Sequence, residues 1–128
     1  MNPVPKETVK SVELSYSTRG SYRNLLITPD SIKVSINDEQ HSYKIKNTEW
    51  KKIYLALRKV SLKGISTLKR PTTKSFSDGA MAAQLSVVTS VKAYQSSNFD
   101  DNKPHLKLVG LIDTMKSVLK NVNSEIDF

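Results

Sequence analysis

Three side chains spread along the chain could do acid–base work if the fold gathered them: Asp78, Asp100 and His105. Carboxylates beside an imidazole can take a proton from one atom and return it to another. Each also has an ordinary structural use. Asp78-Gly79 is turn chemistry, and Asp101-Asn102 ahead of Pro104 is a helix start signal. The other histidine, His41, stands far along the chain from His105, so no imidazole pair has metal-ligand spacing. A metal at His105 would need Asp100 or Asp101 beside it, and a solvated histidine at a helix start is the simpler reading. The chain has no cysteine, which removes thiolate nucleophiles, disulfides, iron–sulfur clusters and cysteine-bound zinc. Its four glycines form no phosphate-cradling Gly-rich loop, no dinucleotide fingerprint and no Gly-x-Ser-x-Gly elbow. The sequence therefore predicts no cofactor and no metal, and an enzyme would rest on Asp78, Asp100 and His105 alone.

Charge is the stronger signal. Residues 44–74 hold Lys44, Lys46, Lys51, Lys52, Arg58, Lys59, Lys63, Lys69, Arg70 and Lys74 against the single acid Glu49. Outside that stretch acids slightly outnumber bases, so it carries essentially all of the formal net charge of +8. A concentrated cationic face attracts polyanions or acidic proteins and is screened by salt. A basic helix face can equally serve solubility alone. Nucleic acid ranks lower as a partner, because stacking readers interleave aromatic rings with cations. Here Trp50 and Tyr54 fall on the expected core stripe. Arg19-Gly20, among Ser17, Thr18 and Ser21, is a second candidate for holding an anion, and equally an ordinary hairpin loop.

The elements that must position these groups follow from periodicity. Val12, Leu14 and Tyr16 alternate with polar residues, as do Ile32, Val34 and Ile36, and both runs predict strands with one buried face. Residues 22–28 make another strand before the Pro29-Asp30 turn. Tyr43 and Ile45 lie in a fourth strand after the polar turn 37–40. Short links between these strands predict an antiparallel meander. The period then changes: Trp50, Ile53, Tyr54, Leu57 and Val60 trace a helix face, with Asn47 or Thr48 as its cap. Residues 61–77 are irregular, with Leu62, Ile65 and Leu68 as apolar anchors and Pro71 barring a long helix. Met81, Ala83, Leu85 and Val87 predict a fifth strand, Thr89-Ser90 a turn, and residues 91–96 a sixth strand. Leu108, Leu111, Ile112, Met115, Leu119 and Val122 trace a second helix. Gly110 inside it suggests a close approach by a neighbour.

The expected fold is α+β: an antiparallel sheet of about six strands in the order β-β-β-β-α-loop-β-β-α, with two helices packed on one face. A length of 128 residues with 38% hydrophobic content supports one domain with a modest core. Residues 1–10 read as a flexible tether, 11–122 as the domain and 123–128 as a disordered tail. No run approaches the ~20 apolar residues of a membrane span. No secretory signal follows Met1. A cytoplasmic location follows if the chain starts there natively, an envelope or secreted one if a signal was removed ahead of it.

Three stretches carry a family resemblance. They are Ser15 to Tyr22, Leu68-Lys69-Arg70-Pro71-Thr72 running to Asp78-Gly79-Ala80, and Ser97-Asn98-Phe99-Asp100 with Pro104. In order and spacing, residues 11–120 resemble an uncharacterised family of small bacterial α+β domains, often predicted to be envelope lipoproteins or secreted proteins. The resemblance implies a compact sheet-plus-helix domain and an envelope location, and no activity. The chain departs from the lipoprotein pattern in lacking a signal and a lipidation cysteine. The leading expectation is a non-enzymatic binding or accessory domain. It would contact an acidic protein or anionic polymer through Lys51, Lys52, Arg58, Lys59, Lys63, Lys69, Arg70 and Lys74. A small enzyme and a nucleic-acid binder are the rivals.

Overall fold

Alternation of apolar and polar residues builds a sheet whose two faces differ in character. The computed structural model describes residues 8–18, 20–60, 64–65, 82–96, 99–100 and 106–123. Strands β1 (Val9–Thr18), β2 (Ser21–Ile27), β3 (Ser31–Ile36) and β4 (Glu39–Lys44) form an antiparallel meander. Helix α1 (Asn47–Leu57) follows, then β5 (Ala82–Thr89), β6 (Ala93–Gln95), β7 (Phe99–Asp100) and helix α2 (Leu106–Val122). Six strands lie in the order β4-β3-β2-β1-β5-β6. The two-residue β7, which no period could announce, pairs with Ala82 and Ala83 at the start of β5. The architecture is the expected α+β one.

Val12, Leu14 and Tyr16 of β1 face Ile27, Leu25 and Arg23 of β2 on one side and Val87, Leu85 and Ala83 of β5 on the other. With Ile32 and Val34 they make the inner face, and all of them except Arg23 are buried. Both helices close over that face: Ile53 and Leu57 of α1 join Leu108, Leu111, Ile112, Met115, Val118 and Leu119 of α2 in one apolar cluster. The opposite face carries Ser11, Glu13, Ser15, Asn24, Leu26, Ser35, Gln84 and Ser86, all half-buried. A layer of helices on one side only is the usual solution for an antiparallel sheet with a polar second face.

Local chemistry sets the boundaries. β1 begins at Val9, inside the stretch read from sequence as a tether. Val9 pairs with Thr89, and the register then shifts between Val9 and Ser11. This bulge at Lys10 breaks the period of two and hides the first residues of the strand from a pattern reading. The β2–β3 turn is tied by Thr28, whose Oγ1 accepts the N–H groups of Asp30 (3.2 Å) and Ser31 (3.0 Å). The next turn is shorter than expected. Asn37 takes a left-handed φ of 54°, which Asn tolerates. Asn37 and Asp38 then suffice, and Glu39 and Gln40 join β4. Thr89 also belongs to the strand and not to the turn; its Oγ1 accepts the N–H groups of Val91 (3.1 Å) and Lys92 (3.2 Å).

Helix α1 differs from expectation at its cap. Asn47 and Thr48 are already helical; the capping position is Lys46, extended at φ −82° and ψ 150°, with no side-chain cap bond. At the other end Lys59 N–H donates to Ala56 O (3.2 Å) and Val60 N–H to Leu57 O (2.9 Å), tightening the last turn. Beyond it, Ile65 is buried, as its role as an anchor requires. Gly110 of α2 is exposed, and no described atom lies within 4 Å of where a Cβ would stand. The close approach suggested by that glycine is therefore absent among the described residues. Asn123, assigned from sequence to a loose tail, donates its Nδ2 to Tyr43 Oη at 3.1 Å. No described helix is long and apolar enough to cross a membrane.

Candidate binding surface

The α1 sequence places its basic residues by simple rotation. With 3.6 residues per turn, burying Ile53 and Leu57 and half-burying Trp50, Ala56 and Val60 turns Lys51, Lys52, Arg58 and Lys59 to solvent. Lys51 and Arg58 lie on the crest, seven residues apart. Lys52 and Lys59 lie on the flank toward α2. There they line an open groove of about 460 Å³ with Leu55, Ala56, Asp113, Thr114 and Ser117. The two helices run antiparallel along it, since Glu49 at the start of α1 meets Asn121 near the end of α2. Lys44 and Lys46 are exposed as well. They border a hollow of about 300 Å³ at the start of α1, together with Ile32, Ile45, Thr48, Glu49, Val118, Asn121 and Val122.

Six cations therefore surround the solvent side of β4's end and α1. Glu49 is the acid set among them. Its Oε2 lies 2.7 Å from Lys52 Nζ and its Oε1 accepts Asn121 Nδ2 at 2.6 Å. These two hydrogen bonds, Lys52 first, hold its carboxyl below the ordinary value of 4.5. A carboxylate in the first turn also suits the positive end of the helix. Glu49 thus fixes α1 to α2 and engages Lys52. Among the described residues no salt bridge involves Lys44, Lys46, Lys51, Arg58 or Lys59. Asp113 is the one acid on the α2 wall of the groove.

The other candidates fall differently. Lys63, Lys69, Arg70 and Lys74 lie outside the described residues, so α1 alone represents the expected surface. Arg19 also lies outside them. Gly20, at φ +85°, lines an open hollow of about 480 Å³ with Ser17, Ser21, Tyr22, Asn37 and Asp38. The described part of that loop thus offers hydroxyls, an amide and a carboxylate. Asp78 and His105 are outside the described residues, and Asp100 is described as a β7 residue paired with Ala82. His41 stacks on Tyr43, ring centres 6.4 Å apart, with Glu39 Oε2 3.9 Å from its Nε2. Among the described residues no group of three or more His, Asp or Glu could hold a metal ion.

Tyr54 departs from the apolar stripe predicted for α1 and faces solvent. Tyr54 is 42% exposed and Leu55 47%. The buried stripe leans toward Ala56 instead, because the small alanine sits on the side where α2 packs. The signal was present: a position 100° around the helix from Ile53, flanked by Lys51 and Arg58, belongs to the edge of the apolar face. No protein-family model, curated protein or solved structure matches the chain.

Proposed function

We propose that the protein is a non-enzymatic binding domain whose α1 surface, extended by the basic 61–77 segment, contacts an acidic partner or an anionic polymer. The observation that carries the reading is the exposed set Lys44, Lys46, Lys51, Lys52, Arg58 and Lys59, with Glu49 as the single acid in residues 44–59. Glu49 is itself turned inward, its side chain 14% exposed. Cations held on a rigid helix make a positive potential of fixed shape, and such a field steers anions and raises their local concentration. If residues 11–120 belong with the uncharacterised small bacterial α+β domains that they resemble, often predicted to be envelope lipoproteins or secreted proteins, the setting is the envelope, where headgroups and anionic polymers are candidate partners.

The test separates a surface from mere net charge. The triple variant Lys51→Glu, Arg58→Glu, Lys59→Glu is compared with Lys10→Glu, Lys33→Glu, Lys92→Glu on an immobilised sulfated polysaccharide. Both variants change net charge equally. The α1 variant elutes at clearly lower salt than the control variant. Equal shifts for the two sets sink the assignment.

A further inference from the structure

Helix α1 presents an exposed aromatic ring at the border between its apolar face and its basic crest. Tyr54 has Lys51 one turn before it and Arg58 one turn after it, positions that neighbour it on the helix surface. All three side chains are exposed, and Leu55 beside them is too. Lys51 and Arg58 are separated by about 10 Å of helix rise, with the tyrosine between them. Trp50, the chain's only tryptophan, stands one turn before Tyr54 and is half-buried against the core.

A polymer that carries only carboxylates has use for the two cations and offers no flat group to lie on the ring. A nucleotide strand uses both: phosphates meet Lys51 and Arg58 while a base lies on the ring. In a duplex the base faces are already covered by neighbouring bases, so a single strand is the form that offers one. We propose that the anionic polymer bound by α1 is single-stranded nucleic acid, held by base stacking on Tyr54 and by phosphate contacts from Lys51 and Arg58. The assignment rests on the polyanion reading above and narrows it to one ligand class.

The experiment follows fluorescence anisotropy of a labelled thymidine oligonucleotide and of labelled polyglutamate, which carries anions without bases. Quenching of Trp50 gives an independent signal next to the stacking ring. Tyr54→Ala weakens oligonucleotide binding about tenfold, in the range measured for loss of one stacking ring, and leaves polyglutamate binding unchanged. Tyr54→Phe retains affinity, since the ring and not the hydroxyl does the stacking. Lys51→Gln with Arg58→Gln flattens the salt dependence by about 1.4 in the slope of log K against log salt, at roughly 0.7 per phosphate contact on a single strand. If Tyr54→Ala leaves oligonucleotide binding intact, the stacking proposal is overturned while the polyanion reading stands. Binding of polyglutamate with no binding of the oligonucleotide overturns it in favour of an acidic protein. If neither polymer binds at low salt, both readings fall.

Discussion

Replacing Gly110 with alanine stabilises this protein. Gly110 is the fifth residue of α2 (Leu106–Val122), inside the hydrogen-bonded body of the helix. Its φ is not among the positive values, so an L side chain fits the backbone. A Cβ there meets no described atom within 4 Å, so the methyl group enters without displacing a neighbour. The bond from Thr114 Oγ1 to the Gly110 carbonyl, 2.7 Å, involves only backbone of residue 110 and survives the change. What remains is the conformational freedom that glycine loses on folding, about 0.8–1 kcal/mol relative to alanine in a helix interior. In a domain of this size that gain raises Tm by about 4 °C. Calorimetry reads it directly, and urea titration shows a higher midpoint with an unchanged slope. A lower Tm for Gly110→Ala refutes the reasoning, because it means that a neighbour does approach this helix and that the glycine makes room for it.

Other expectations concern the interhelical contact and the core. Glu49→Gln removes the charge that meets Lys52 and Asn121 and lowers stability at pH 7 by about 0.5–1 kcal/mol. The contribution of Glu49 is fully present above its ordinary pKa of 4.5 and is lost as pH falls through its lowered folded value. Urea titrations of both proteins at neutral and strongly acidic pH check this: the gap closes in acid, and a constant gap assigns the effect to packing. Met115→Ala, at a side chain with no exposure in the centre of the cluster, costs about 2–5 kcal/mol; a loss below 1 kcal/mol by the same titration would contradict that burial. Ser96→Ala removes the buried Oγ that accepts Leu85 N–H at 2.9 Å. It costs about 1–3 kcal/mol through the unsatisfied donor, and amide exchange at Leu85 speeds up more than at Val87.

The inner face was legible because burial at alternate positions is what makes a strand visible in a sequence. Val12, Leu14 and Tyr16, then Ile32 and Val34, then Ala83, Leu85 and Val87, fall where the alternation put them. The departures each have a local cause. The bulge at Lys10 hid the start of β1, and the left-handed Asn37 shortened a turn. β7 exists through its pairing with Ala82 and Ala83 and has no pattern of its own. Gly110 invited a packing explanation that only the neighbourhood of its Cα could decide. For the surface, an excess of cations can be counted without a fold, so its concentration in residues 44–74 was plain. Which side of α1 faces α2 depends on where the second helix packs. A stripe drawn through Tyr54 therefore misses Ala56 by a fraction of a turn and conceals an exposed aromatic ring beside Lys51 and Arg58.

The pairing of β1 with β5 has a consequence for the chain while it is being made. β1 is the hub of the sheet, with β2 on one edge and β5 on the other. The β2 partner follows within three residues, but the β5 partner begins only at Ala82. At about 5–20 residues per second of synthesis, the second edge of β1 waits several seconds on the ribosome for its strand. During that interval the row from Val12 to Tyr16 offers open backbone groups beside apolar side chains, the combination that recruits other chains. Fragments truncated before β5 carry this liability permanently, and their yield in soluble form during translation measures it.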